Sequence, residues 1–231
     1  MKHNPKFLPH GDRAVDLVFE NSISPEINAM VHAFSRAVQS ARPDGVLGCI
    51  PAYRTLTVEY DPLRMTYGQV CLFLRSLSVT EGGEEGGSLV KIPVCYGGAF
   101  GPDLSTVAEH AGLSEKELIR RHTAPDYPVY MLGFRPGFPY LGGLDPLLAC
   151  PRRAVPRQSV EAGSVGIAGE QTGVYPEASP GGWNIIGRTP LTLFDETALS
   201  SLIHPGDTVR FEAIPEDVFW TMAKEGGKGN D

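Results

Sequence analysis

Gly133-Phe134-Arg135-Pro136-Gly137-Phe138-Pro139-Tyr140-Leu141-Gly142-Gly143, written GFRPGFPYLGG, marks a change of texture in this 231-residue chain. Neither helix nor strand favours the mixture: proline fixes φ and removes a donor, and glycine weakens regular structure at an entropic cost. The texture persists downstream. From Gly133 to Pro190, 19 of 58 residues are Gly or Pro, and the apolar runs between them are short. Val165-Gly166-Ile167-Ala168 and Asn184-Ile185-Ile186 are examples, and Val209-Arg210-Phe211 is a similar short run further on. Short strands cut by Gly/Pro turns predict a closed β-barrel whose loops carry the function.

Upstream, the chain alternates between two periods. Ala14 to Phe19 reads as a strand, and Ile27, Met30, Val31, Phe34 and Val38 mark the apolar stripe of a helix. Val46 to Ile50 and Thr55 to Tyr60 read as paired strands, Val70 to Leu77 as a second helix, and Leu89 to Val94 as a last strand. The order βαββαβ is that of a ferredoxin-like α+β sandwich, assigned to residues 1–91. EGGEEGGS, from Glu81 to Ser88, is expected to be a mobile linker, residues 92–224 the barrel domain, and 225–231 a disordered tail. Between linker and barrel, Asp103 is expected to cap a short helix, and Ser114 to Glu117 to open another with a capping box.

Composition excludes several functions. A net charge of −7 and a pI near 5.4 argue against a nucleic-acid partner, which needs a basic stripe. No run is long and apolar enough to span a membrane, and the first residues lack the core of a signal peptide. Cys49, Cys71, Cys95 and Cys150 form no CxxC pair and are expected as buried thiols in a reducing cytoplasm. No GxxxxGK[ST] is present, GSVG (Gly163 to Gly166) lacks the GxSxG spacing, and the six histidines form no HExxH, so no metal site is expected. Among them His122 is expected at a helix C-terminus, as a cation titrating near neutrality.

What remains is a constellation on four segments: GFRPGFPYLGG, CPRRAVPR (Cys150 to Arg157), GSVGIAGEQTGVYP (Gly163 to Pro176) and SPGGWNIIGRTP (Ser179 to Pro190). Arg152, Arg157 and Arg188 carry the planar fork suited to carboxylates and phosphates. Gln171 and Thr172 offer orienting hydrogen bonds. Phe134, Pro136, Phe138, Tyr140, Tyr175 and Trp183 are expected to wall a cleft or anchor a partner interface, the rings of GFRPGFPYLGG as a binding rim rather than core. Gly181 and Gly182 allow a ligand close to the backbone.

These blocks, together with IPVCYGGAFGPDL (Ile92 to Leu104) and LSEKELIRRH (Leu113 to His122), resemble those of the KipI / allophanate hydrolase subunit 1 family, nearest to its 5-oxoprolinase B-subunit members. The resemblance implies a ferredoxin-like domain followed by a cyclophilin-like barrel. It implies a component that works with two 5-oxoprolinase partners, a C subunit of the allophanate-hydrolase-subunit-2 type and an A subunit of the LamB/YcsF type. Together such subunits cleave 5-oxo-L-proline to L-glutamate with ATP, Mg-dependent and bound at the level of the complex. The family pattern matches at Arg152, Arg157, Gln171 and Thr172, taken as catalytic, and at Tyr175, Trp183 and Arg188. The same resemblance leaves open a KipI-type inhibitor of a sensor histidine kinase and a hydrolase component of the allophanate or urea-amidolyase type.

Overall fold

The computed structural model describes residues 4–22, 24–79 and 87–226, so the expected linker core (81–86) and most of the expected tail (227–231) lie outside the described residues. The chain forms two compact units, Met1–Gly86 and Gly87–Asp231. The boundary expected at 91/92 falls inside a strand, Leu89–Tyr96, of the second unit.

The first unit contains β1 (Lys6–His10), β2 (Ala14–Val18), α1 (Pro25–Ala41), β3 (Val46–Pro51), β4 (Thr55–Tyr60) and α2 (Tyr67–Ser76). Its four strands pair antiparallel in the order β1-β2-β4-β3. Both helices start where side-chain chemistry dictates. Ser24 Oγ accepts the Ile27 N–H, and Thr66 and Gln69 form a reciprocal capping box. The apolar stripe of α1 packs with Leu17, Leu56 and Val58 of the sheet into one core.

The order expected for this unit needs correction. Leu89 to Val94, read as its last strand, lies within Leu89–Tyr96 of the second unit, and the place beside β2 is taken by β1. The elements therefore run ββαββα. β1, KFLPH, is mostly exposed and contains Pro9, tolerable on an edge strand but a demerit to any reading by pattern.

The second unit contains β5 (Leu89–Tyr96), α3 (Leu104–Ala111), α4 (Glu115–Thr123), β6 (Tyr127–Leu132), β7 (Pro139–Leu141), β8 (Arg157–Val160), β9 (Ser164–Ala168) and β10 (Gln171–Val174). β11 (Ser179–Gly181), β12 (Asn184–Arg188), β13 (Phe194–Asp195), β14 (Ser200–Ser201), β15 (Thr208–Ala213) and α5 (Glu216–Lys224) follow. Seven strands close a barrel in the order β10-β7-β6-β15-β5-β12-β9. β5 lies parallel to β15 in unbroken register from Leu89–Thr208 to Val94–Ala213, which is what draws it into the barrel. β8 and β11 pair outside the barrel, as do β13 and β14.

Val94, Val129, Leu141, Val165, Ile167 and Val209 fill the interior with α3 and α4 residues such as Val107 and Leu118. Closure removes free sheet edges and leaves the loops to vary. At α4 only half of the expected capping box forms. Ser114 Oγ accepts the Glu117 N–H, while the Glu117 carboxylate turns instead to Arg120 and Arg121.

His122, at the end of α4, is fully buried rather than a surface cation. Thr172 Oγ donates to Gly166 O at 3.0 Å, so at 2.9 Å it accepts from His122 Nε2–H, and Tyr96 Oη donates to Nδ1 at 2.8 Å. This satisfies both nitrogens of a neutral ring, and burial pushes its pKa down to about 3. Of the four thiols, Cys71, Cys95 and Cys150 are buried and Cys49 half-buried, all free.

A pH dependence follows. The unfolded chain protonates His122 below about pH 6.5 while the folded chain does not until about pH 3, so stability falls as pH drops through that window. The slope from this group approaches about 1.4 kcal/mol per pH unit. Urea unfolding at pH 7 and pH 5 is expected to show a larger loss for wild type than for His122→Gln; parallel losses would contradict the buried neutral ring.

Candidate functional site

The site begins with Asp103, 3 % exposed, at the start of α3. Its side chain makes no cap bond to the helix, contrary to the sequence reading. Instead Arg157 grips both carboxylate oxygens at 2.7 and 2.8 Å, Arg153 donates to Oδ1 at 2.7 Å, and the Ile185 N–H donates to Oδ2 at 2.7 Å. Burial pushes the Asp103 carboxyl up, but the Arg157 hydrogen bond, the Ile185 amide and the two guanidinium charges together hold it below its ordinary value.

This contact fixes the segment before β8 against Ile185 of β12, and the Arg153 N–H also donates to Gly182 O, between β11 and β12. Of the three arginines there, two face Asp103. Arg152 is exposed, and among the described residues no carboxylate lies within ion-pair distance of it. It lines a cleft of about 290 Å3 with Pro156 from the same segment. Phe134, Phe138, Tyr140, Tyr175 and Trp183 supply rings, and Pro180, Gly181 and Gly182 supply backbone.

The rings are held by each other. Phe138 is the hub, 1 % exposed, with edge-to-face contacts to Tyr175 (5.2 Å), Trp183 (5.4 Å) and Phe134 (5.7 Å). The expectation that GFRPGFPYLGG carries its rings as an exposed rim is corrected for Phe138, because a turn inverts the chain there. Phe138 N–H donates to Arg135 O and Gly133 N–H to Phe138 O, folding the ring inward. Phe134 alone stays outside, 60 % exposed at φ +66°, a left-handed conformation that a bulky residue adopts only under constraint. Arg135 ties this turn to Glu177, just beyond Tyr175, at 3.3 Å. A Cβ at Gly181 would collide with the Tyr175 phenol, so glycine there is a condition of the cleft's shape.

Burial pushes both the Tyr140 and Tyr175 phenols up, with the Arg152 charge pulling against it in each case. Both phenols are therefore protonated donors at neutral pH, beside a guanidinium. The cleft can take a small flat group, offer it hydroxyl donors and meet one negative charge.

Eight of the residues singled out from sequence meet here: Phe134, Phe138, Tyr140, Arg152, Tyr175, Gly181, Gly182 and Trp183. Five do not line the cleft. Arg157 is committed to Asp103, and Thr172 to His122 and Gly166 inside the barrel. Arg188 donates to Ala162 O and pairs with Glu161, while Gln171 opens β10 and Pro136 lies on the exposed turn. Sequence reasoning missed Pro156 and Pro180 as lining residues and Asp103 as the anchor. The usable signal for Asp103 was three arginines within six residues, an excess of cation that a buried carboxylate would have to meet.

Residues 5–203 match the model of the carboxyltransferase domain, subdomain C and D. The chain belongs to this family. It is 43 % identical to the 5-oxoprolinase B subunit of Bacillus subtilis, over 93 % of this chain and 95 % of that one. It is 48 % identical to the 5-oxoprolinase B subunit of Escherichia coli O157:H7, over 75 % of this chain and 80 % of the relative. The crystal structure of TTHA0988 superposes with a TM-score of 0.79 at 40 % identity, over 87 % of this chain but 40 % of that longer one. A conserved uncharacterized protein from Pyrococcus horikoshii, PH0987, is 47 % identical with a TM-score of 0.57, over 93 % of this chain and all of that one. The urea amidolyase of K. lactis shares the fold, with a TM-score of 0.79 at 19 % identity over 98 % of this chain and 16 % of that one. In this member of the carboxyltransferase-domain family, the cleft is built from the anchored arginine segment and an aromatic hub.

Two neighbouring phenylalanines separate packing from display. Phe138→Ala is expected to lower folding stability by about 3–5 kcal/mol, as for a buried ring, and Phe134→Ala by less than about 1 kcal/mol. Denaturant unfolding of both variants checks this; a near-neutral Phe138→Ala would contradict the hub.

Proposed function

We propose that this chain is the B subunit of an ATP-dependent 5-oxoprolinase, cleaving 5-oxo-L-proline to L-glutamate together with partners of the A and C types. The observation that carries the reading is the match, over nearly the whole chain, to relatives named as the B subunit of 5-oxoprolinase. The cleft supports it chemically. 5-Oxoproline is a small flat lactam with one carboxylate, and the cleft offers rings, two phenols and a guanidinium that meets no carboxylate among the described residues.

The lactam is a poor electrophile, and ATP supplies the activation of its amide oxygen when bound in the complex. The residues of this chain do not match a nucleotide triphosphate. The glycine-rich turn before α3, Gly97 to Gly101, spends three of its amides internally: Gly97 N–H on Ile186 O, and Phe100 and Gly101 N–H on Gly97 O. Among the described residues no three His, Cys, Asp or Glu side chains come together as metal ligands. In this reading ATP and magnesium are bound at the level of the complex. The role of this chain is to bind and orient the lactam, with Arg152, Tyr140 and Tyr175 as the polar contacts and the hub of Phe138 excluding water.

Co-expression with partners of the A and C types, followed by a glutamate-release assay, tests the reading. Glutamate is expected from 5-oxoproline only with ATP and only from the assembled complex. Release by the purified chain alone, or none from the assembly, would overturn it.

A further inference from the structure

We propose that Arg152 is the specificity-determining residue of the cleft, reading the single carboxylate of a small, flat, ring-bearing ligand. The inference rests on the oxoprolinase reading above and adds the group that selects the ligand's charge.

Three arginines lie within Arg152 to Arg157, in a chain whose net charge is −7. Arg153 and Arg157 are both held by the Asp103 carboxylate, which offsets one of their two charges. The bond from Arg153 N–H to Gly182 O pins the backbone between them and the cleft. Arg152 is thus delivered to the cleft on a braced segment while its neighbours are held elsewhere. Among the described residues it meets no carboxylate, and the groups it does act on are the two phenols, Tyr140 and Tyr175.

The surroundings narrow the anion. Arg152 is the one guanidinium that lines the cleft, and one charge there suits a carboxylate. Its planar fork takes both oxygens of a carboxylate in parallel. The walls are apolar ring edges and faces around Trp183 and Phe138, complementary to a flat body, and the volume of about 290 Å3 admits a molecule of one ring. A neutral ligand of the same shape leaves the guanidinium without its partner, so the site discriminates by charge as well as by shape.

The experiment uses the full chain carrying Trp220→Phe, which leaves Trp183 as the sole indole. Its fluorescence is titrated with 5-oxo-L-proline and with 2-pyrrolidinone, the same lactam without the carboxylate. The acid is expected to bind at least about tenfold more tightly than the neutral lactam. Arg152→Ala is expected to abolish that difference without lowering the melting temperature, and Arg152→Lys to restore part of it. Equal affinity for the two lactams, no Trp183 response to the acid, or full discrimination retained in Arg152→Ala would overturn the proposal. Glutamate release by the assembled complex, measured in parallel, decides the oxoprolinase reading on its own. An active assembly whose KM for 5-oxoproline is unchanged by Arg152→Ala sinks only the role of Arg152. Carboxylate-selective binding without glutamate release sinks only the oxoprolinase.

Discussion

The buried carboxylate of Asp103 is the contact on which the site depends. A charge at 3 % exposure is tolerable only when every oxygen is met, and here two guanidinium groups and one backbone amide meet it. The cluster joins the start of α3, the segment before β8 and the first residues of β12, which are distant in sequence. Removing Arg157 takes two of the hydrogen bonds from a buried carboxylate, which costs more than the contact's own net worth. Its functional effect is indirect. By holding Arg153 and Arg157, which follow Arg152 in sequence, it leaves Arg152 as the cation that faces the cleft.

A second constraint acts on the apolar side. Phe138 cannot move without disturbing Tyr175, Trp183 and Phe134, because all three rings meet it edge-on. Gly181 in turn admits the Tyr175 phenol where a side chain would exclude it. The barrel beneath is set by the closed strand order and by the neutral His122, whose two nitrogens tie α4 to β5 and β10. Rigid strands therefore carry an irregular but braced set of loops, an arrangement suited to a site that must present fixed donors to a small ligand.

Much of this was legible in the chain itself. The Gly/Pro-rich texture after Gly133 pointed to the barrel, and the same segments pointed to Tyr140, Arg152, Tyr175 and Trp183 as neighbours. Periodicity placed α1, α2, β3 and β4. It failed for Leu89 to Val94, since an apolar run reads alike in either sheet and only the pairing with β15 decides. It failed for β1, where Pro9 and exposed residues hide an edge strand. Thr172 and Arg157 were singled out for their chemistry, yet both are spent inside the fold. Which partner a polar side chain finds is a tertiary fact, and neither His122 nor Asp103 is near its partner in sequence.

In the function proposed for it, this chain orients a ligand and leaves activation to other subunits, so that reading leans on the anchored segment rather than on a nucleophile. The claim that Asp103 holds that segment is tested most directly by a double-mutant cycle in folding stability, with Asp103→Ala, Arg157→Ala and the double variant. Strong coupling is predicted, about 2 kcal/mol or more, with the double variant losing much less than the sum of the singles. Additivity within about 0.5 kcal/mol would show that the two side chains act independently and would contradict the account.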